Sequence, residues 1–358
     1  MKLTTIAGLV ALTTAGCAPT SVRSARLTTG MHKGQLGPAK YCIAVPKEWN
    51  GNVLILAHGY RDETVPLSAD FDPNAPYYRG LLDSGWVVAS TSYRRNGMIV
   101  QDAAADIEAL RSYLVHRMGG CERVFVQGSS MGGAVIVVLA ETYPGRYDGF
   151  LAIGAALSCH DKDKPYLYTY KPTAPILFLA NQSELRSPRA YARAAEQSAY
   201  PPAVWTVSRD GHCNVNRAET VEALRGLTRW VRTGRIQHSR NVTISPAGLA
   251  SVAAFRDGVA FAKITHVGTS YGNLDTAFIQ NDLDRLGIKP TTHFMVGMGD
   301  KRFRVFLGKT YGDVPRGDWV AFLTAEGRLR IARNYANAAE TLGCVVGDEV
   351  FIGPVDSK

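Results

Sequence analysis

The sequence predicts two folded units. Residues 39–234 read as a mostly parallel β-sheet with helices on both faces, and residues 249–358 as a smaller β-rich, barrel-like domain. Three observations support this. Short, fully apolar runs alternate with helical patterns through the first stretch, as strands buried on both faces of a parallel sheet do. After Gly234 the texture changes: residues 235–248 are polar, contain Pro246 and read as a linker. Beyond them, strand patterns follow one another with hairpin turns at Asp257-Gly258 and Glu326-Gly327 and one helical stretch near Phe278–Leu286. Finally, a chain of 358 residues, 46% hydrophobic and 20% charged, has ample core for two domains.

The N-terminus reads as a leader. Lys2 precedes an apolar stretch, Ile6 to Ala15, too short to span a bilayer. Thr14-Ala15-Gly16-Cys17 resembles a bacterial lipoprotein cleavage site, with Thr14 where an aliphatic residue is usual. The resemblance implies residues 1–17 as signal, Cys17 as the lipidated residue and membrane attachment after export. Ordinary cleavage and secretion is the alternative. Residues 18–38 are small, polar and basic, as a tether would be.

The first domain opens with a strand at 40–46, a turn at Trp49-Asn50-Gly51, and the apolar strand Val53–Ala57 running into His58-Gly59-Tyr60. A short helix near Tyr77–Asp83, a strand Trp86–Ser90 and a helix presenting Ala103, Ile107, Leu110 and Leu114 follow, the last stopped by Gly119-Gly120. Next comes the stretch on which the chemistry turns, Val124-Phe125-Val126-Gln127-Gly128-Ser129-Ser130-Met131-Gly132-Gly133. An apolar strand runs into G-x-S-x-G and then into an apolar helix, from Ala134 to Tyr143, stopped by Pro144. The glycines relieve crowding at the reversal, so Ser130 is expected on a strained turn as nucleophile, at a helix N-terminus. Strands Phe150–Ala155, Ile176–Ala180 and Val204–Val207 complete the set. A helix capped by Asn216 with Glu219 three residues on ends at Gly234.

A serine nucleophile needs a base, and the base an orienting acid. His212 lies after the last strand and before the closing helix, where loops at the carboxyl ends of parallel strands converge. Glu184 lies on the loop after Ile176–Ala180, which offers no Asp, and gives the order Ser, acid, His. The oxyanion donors are expected to be the N–H groups of Met131 and Tyr60, contributing about 3–4 kcal/mol each. Arg61, Arg94, Arg95 and Arg186 fall on loops at the same sheet edge and suggest an electropositive mouth; the first three are the candidate substrate-binding residues.

These motifs resemble the α/β-hydrolase superfamily over residues 40–234. Within it, Trp49-Asn50-Gly51, His58-Gly59-Tyr60, Gly-Ser-Ser-Met-Gly-Gly and Gly211-His212-Cys213 are similar to its secreted esterase, depolymerase and peptidase-like members. The resemblance implies hydrolysis through an acyl-enzyme, of a small, bulky or polymeric ester, with a peptide as the alternative. The acid is Glu where Asp is common. The short interval between the Phe150 and Ile176 strands leaves no room for a large lid and predicts an open, shallow site.

In the second domain, Tyr271-Gly272-Asn273, Tyr311-Gly312-Asp313-Val314, Gly317-Asp318, the run from Gly327 to Asn334 and Gly347-Asp348-Glu349-Val350 resemble the C-terminal domain of the S-adenosylmethionine hydroxide adenosyltransferase family. The resemblance implies adenosyl-binding positions at Tyr271, Asn273, Arg333 and Asn334. The partner domain that carries the reaction in that family is replaced here by a hydrolase. A packing or homo-oligomerisation role, burying apolar surface around Phe255, Phe278 and Phe322, is therefore the expected one, with S-adenosylmethionine binding or hydrolysis through this domain as the alternative.

The net charge of +9 comes without a dense Lys/Arg block, which speaks for a solvated basic surface and against nucleic acid. No cysteine has metal-site spacing and there is no His-Glu-x-x-His, so no metal and no cofactor are expected. With Cys17 set aside, five cysteines remain, an odd number. Cys159 and Cys213, on loops of one sheet edge, are the expected disulfide.

Overall fold

The computed structural model describes residues 26–159, 166–246, 248–268 and 271–355. The leader, Cys17 and the first part of the tether stretch, residues 18–25, lie outside the described residues.

The first unit is a nine-stranded sheet. Its strands are β1 (Gly30–Leu36), β2 (Ala39–Val45), β3 (Asn52–Ala57), β4 (Val87–Thr91), β5 (Arg123–Ser129), β6 (Gly149–Ile153), β7 (Ile176–Asn181), β8 (Ala203–Val207) and β9 (Ser239–Asn241). They lie in the order β1-β2-β4-β3-β5-β6-β7-β8-β9. The β1–β2 and β2–β4 pairings are antiparallel and every later one is parallel. Helices α1 (Pro76–Asp83), α2 (Val100–Met118), α3 (Met131–Thr142), α4 (Arg186–Ala194) and α5 (Arg217–Thr233) supply the crossovers. Alternation along β3 divides the core. Val53 and Ile55 pack with residues of α2, α3 and α4, whereas Leu54 packs with Leu224, Leu227 and Trp230 of α5. Helix α3 is buried at every position from Met131 to Ala140, as a helix apolar on all sides must be. Helix α5 carries the capping box of Asn216 and Glu219 and ends on Gly234 in the left-handed conformation.

Two strands fall where the sequence suggests connecting chain. β1 lies inside the stretch read as a tether and pairs along its whole length with β2. β9 lies inside the linker and pairs with β8. Both are polar edge strands held by backbone bonds, so no buried face marks them in the sequence.

The second unit comprises β10 (Ala254–Arg256), β11 (Val259–Val267), β12 (Leu274–Ile279), α6 (Gln280–Arg285), β13 (His293–Met298), β14 (Lys301–Leu307), β15 (Trp319–Leu323), β16 (Arg328–Arg333), α7 (Ala338–Leu342) and β17 (Glu349–Pro354). Seven strands close a barrel, β11-β12-β16-β15-β14-β13-β17, with β17 returning to β11. Asp257 and Gly258, both at positive φ, form the two-residue turn between β10 and β11. The helical stretch expected from Phe278 begins only at Gln280, because Phe278 and Ile279 finish β12. Phe278 lies in the barrel's main core and Phe322 packs with Val320 and Ala332. Phe255 is covered by the Arg285 guanidinium, 3.5 Å from its ring centre. Phe278 and Phe322 are thus buried within the barrel itself, and Phe255 is half-buried beneath Arg285.

Cys42, Cys121, Cys159, Cys213 and Cys344 are unbonded. The expected Cys159–Cys213 disulfide does not form. The Cys213 sulfur is turned instead onto the carbonyls of Ile153 and Gly154, 3.5 and 3.8 Å away.

Candidate active site

Ser130 sits between β5 and α3 with φ 57° and ψ −121°, a conformation that costs a non-glycine residue about 1–3 kcal/mol. Its neighbours hold it there. Ser130 N–H donates to Ile153 O at 3.0 Å, and Gly133 and Ala156 N–H donate to Ser130 O at 2.9 and 3.1 Å. Only glycine fits on either side of the turn. A Cβ at position 132 would stand 2.1 Å from Ala57 O, and one at 128 would stand 2.4 Å from Gly132 O.

His212 Nε2 is 2.7 Å from Ser130 Oγ. On the other side of the ring, Nδ1–H donates to Glu184 Oε1, and the second carboxylate oxygen accepts Cys213 N–H at 3.1 Å. Glu184 closes a short 3-10 turn, Gln182–Glu184, after β7. The acid and histidine loops are joined at several points. Ser183 Oγ and the Gly211 backbone bond in both directions at 3.1 Å, Gln182 Nε2 donates to Asp210 at 2.8 Å, and Asn181 bonds both ways with the Asn214 backbone. The Cys213 sulfur beside the ring and the Glu184 carboxylate together raise His212 well above the ordinary imidazole range.

The loop after β3 lies against the serine. A methyl on Gly59 would stand 3.4 Å from Ser130 Cβ and 3.9 Å from Oγ. Among the described residues, neither Tyr60 N–H nor Met131 N–H donates to a protein acceptor. His58 braces this loop. Its Nδ1–H donates to Gly59 O at 2.7 Å, its ring stacks on Tyr93 at 3.9 Å, and the Tyr93 hydroxyl donates to His58 O at 3.0 Å. Burial, and next the Arg61 charge, push His58 down to about 4, which keeps the ring neutral.

The barrel deepens the open, shallow site that the sequence suggests without enclosing it. The barrel stands over Ser130, and a cavity of about 500 Å³ lies between the two units. Of its lining residues, Gly59, Tyr60, Ser129, Ser130, His212 and Cys213 come from the first unit. Tyr271, Asn273, Thr310, Tyr311, Gly312, Arg330, Arg333, Asn334 and Tyr335 come from the barrel. Lys309 reaches Asp210 at 2.7 Å, Arg316 reaches Asp62 at 3.6 Å, Arg217 N–H donates to Glu326 at 2.8 Å, and the Tyr60 and Tyr335 rings meet edge-on at 6.2 Å. The four positions singled out by the adenosyltransferase resemblance therefore face the serine. Arg333 donates to Gly317 O and Thr341 Oγ1, and Asn334 to Val314 O, so both brace barrel loops. Tyr311, Arg330 and Tyr335 line the cavity without having been singled out; the first two lie in the motifs quoted for the resemblance.

Of the four arginines expected at the mouth, none lines the cavity, the three candidate substrate-binding residues included. Arg61 donates to Ser68 O and lies 3.4 Å from Asp70. Arg94 clamps buried Asp106 through Nε and Nη2 at 3.0 and 2.8 Å, and Arg95 pairs with Asp102 at 2.8 Å. The acids on the first turns of α2 neutralise Arg94 and Arg95. Arg186 is exposed at the start of α4. One three-residue group of potential metal ligands, Glu184, His212 and Cys213, occurs among the described residues, and two of its members belong to the Ser130 hydrogen-bond chain.

The strand order, with the serine after the fifth strand, is that of the α/β-hydrolase fold. Residues 262–351 match the family model of the SAM hydroxide adenosyltransferase C-terminal domain. An o-phthalyl amidase of Xanthobacter agilis is 35% identical over 120 residues, 33% of this chain and 25% of that protein, so the chain spans about a quarter of this relative's length. Among solved structures, a dienelactone hydrolase from Anabaena variabilis is similar over 56% of this chain and 96% of its own, at 17% identity and TM-score 0.41. Est1E from Butyrivibrio proteoclasticus is similar over 57% and 99%, at 14% identity and TM-score 0.43. An uncharacterized conserved protein from Thermotoga maritima is similar over 36% of this chain and 48% of its own, at 22% identity and TM-score 0.27. At such scores the strand order, and not the likeness, carries the fold assignment.

Proposed function

We propose that this chain is a serine hydrolase that cleaves carboxylic esters through an acyl-enzyme on Ser130. The observation that carries the reading is the unbroken hydrogen-bond path from Glu184 through His212 to Ser130 Oγ. His212 Nε2 takes the hydroxyl proton as Oγ attacks the carbonyl. The oxyanion receives the N–H groups of Met131 and Tyr60. Collapse expels the alcohol, which takes the proton from His212, and a water activated by the same nitrogen releases the acid. Glu184 holds the ring in the tautomer with Nδ1 protonated and stabilises the imidazolium.

Amide cleavage is the second reading, favoured by the partial identity to a protein named an amidase. A cavity of about 500 Å³ lies within the roughly 300–1,000 Å³ range of small-molecule sites and favours a compact substrate over a polymer. The leader pattern supports an exported protein, lipid-anchored at Cys17 or secreted. The test is turnover of matched aryl esters and anilides by the full chain and by Ser130→Ala. The reading expects hydrolysis that disappears in the variant, with esters faster; equal rates in both proteins contradict it.

A further inference from the structure

A second cavity lies at the edge of the first sheet opposite Ser130. It measures about 470 Å³ and is framed by the starts of β3 and β5, the residue before β4 and one side of α5. Half-buried Trp86 and buried Phe125, with ring centres 5.4 Å apart, lie beneath it. Arg123 and the exposed Arg225, Arg229 and Arg232 rim it. The last three stand four and three residues apart, so the turn of the helix stacks them on one side. Among the described residues, none of these three guanidiniums has a hydrogen bond or an ion pair. The acid lining the cavity, Glu222, is taken by Arg240 at 2.7 Å, and Arg123 pairs with Glu122 at 3.0 Å. Like charges at this spacing weaken a helix. The helix dipole favours a cation in the last turn, which accounts for Arg232 and leaves Arg225 and Arg229 unexplained. The described residues begin at this same edge: Leu27 N–H donates to Arg117 O at 3.2 Å, at the end of α2, and β5 starts soon after with Arg123 itself. Cys17 precedes Arg26 by nine residues, a span of at most about 30 Å.

We propose that this arginine-rimmed cavity docks the phosphate-bearing headgroups of an anionic lipid surface. The amino-terminal edge of the sheet is then held against the membrane and the Ser130 cavity faces water. Charge complementarity sets the sign of the occupant, and guanidinium forks match phosphate oxygens in pairs. Size favours a headgroup over a lone ion, because about 470 Å³ falls in the range of small-molecule sites. Trp86 adds an aromatic ring of the kind enriched at headgroup level. The path of the chain agrees: a lipid on Cys17 reaches the same edge, and an acyl chain with a basic patch anchors stably where one chain alone binds marginally. The docking itself requires neither that lipid nor any chemistry at Ser130.

The experiment is co-sedimentation of the full chain with vesicles of phosphatidylglycerol and phosphatidylcholine in equal parts, and with vesicles of phosphatidylcholine alone. A variant carrying Arg225→Gln, Arg229→Gln and Arg232→Gln is compared with one carrying Arg186→Gln, Arg189→Gln and Arg193→Gln, which loses the same charge from exposed positions on α4. Both share the leader, so its own affinity for lipid cancels. The cavity variant is expected to bind the mixed vesicles at least about ten-fold more weakly than wild type, and the α4 variant within about three-fold of it. Both are expected to match wild type on phosphatidylcholine, and raised salt to narrow the gap on mixed vesicles. Equal losses in the two variants, or no loss in the cavity variant, overturn the proposal. Calorimetry with inorganic phosphate and with a short DNA duplex separates the other anions: binding of either that the cavity variant loses, while its vesicle binding is unchanged, overturns the lipid assignment. Circular dichroism and Tm establish folding, and the Tm of the cavity variant is expected not to fall, since it relieves like-charge repulsion. Should that variant fail to fold, Arg229→Gln against Arg189→Gln decides by the same comparison, with an expected loss of about five-fold against none.

Discussion

Glu184→Gln isolates the role of the acid. The wild-type carboxylate accepts from two donors, His212 Nδ1–H and Cys213 N–H at 3.1 Å. A carboxamide of the same shape has one acceptor and one donor, so it cannot serve both. If its oxygen keeps Cys213 N–H, its amino group faces Nδ1 and forces the ring proton onto Nε2, where a base toward Ser130 is lost. If its oxygen keeps Nδ1–H, two donors collide at Cys213 and the charge that stabilises the imidazolium is still gone. The equivalent Asp-to-Asn change in a serine protease lowers kcat by about 10⁴, and removal of the acid in another costs a similar factor, so a fall of about 10³–10⁴ is expected here. The assay is kcat/KM with an activated aryl ester, alongside circular dichroism and Tm to establish that the variant is folded. A folded variant within about ten-fold of wild type, a gap of only about 1.4 kcal/mol, would refute the assignment of Glu184.

Three further outcomes follow from the same geometry. His212 must be neutral to act as base and its protonated form is stabilised, so kcat/KM is expected to climb with pH on a limb displaced above the ordinary imidazole value near 6.5; a plateau already reached at pH 6 contradicts this. His58 is held neutral with its folded-state value near 4, so the stability it contributes is full above about pH 6.5 and declines as pH falls toward 4, by up to about 3 kcal/mol. Denaturation midpoints measured from pH 7 to 4, with His58→Asn as the comparison, test that slope, and identical slopes count against it. Arg94→Met leaves buried Asp106 without its clamp and is expected to cost about 1–3 kcal/mol in Tm-derived stability without changing the preference between anionic and neutral esters; a changed preference with unchanged Tm would return Arg94 to the substrate mouth.

The strand, turn and helix around Ser130 were legible because each carries local chemistry: a continuous apolar run, glycines where no Cβ fits, and an all-apolar helix. The position of Glu184 was legible from loop order alone, since the parallel sheet brings the ends of β5, β7 and β8 to one edge. The arginines were misread because loop position says nothing of pairing. Asp102 and Asp106, at the start of α2, take up Arg95 and Arg94. The edge strand β1 escaped notice because its stability is in backbone bonds to β2 and not in a buried face. The seat of the barrel over the serine could not be read from either unit. It depends on pairs such as Lys309 with Asp210 and Arg316 with Asp62, whose members lie far apart in sequence and look like ordinary surface charges.

The central claim is that Ser130 is the nucleophile, and peptide mapping by mass spectrometry after fluorophosphonate treatment tests it most directly. The account predicts a single adduct on the peptide containing Gly128-Ser129-Ser130-Met131, absent from Ser130→Ala and strongly slowed in Glu184→Gln. An unmodified Ser130 in folded protein, or equal labelling of Ser130→Ala at another residue, would contradict it.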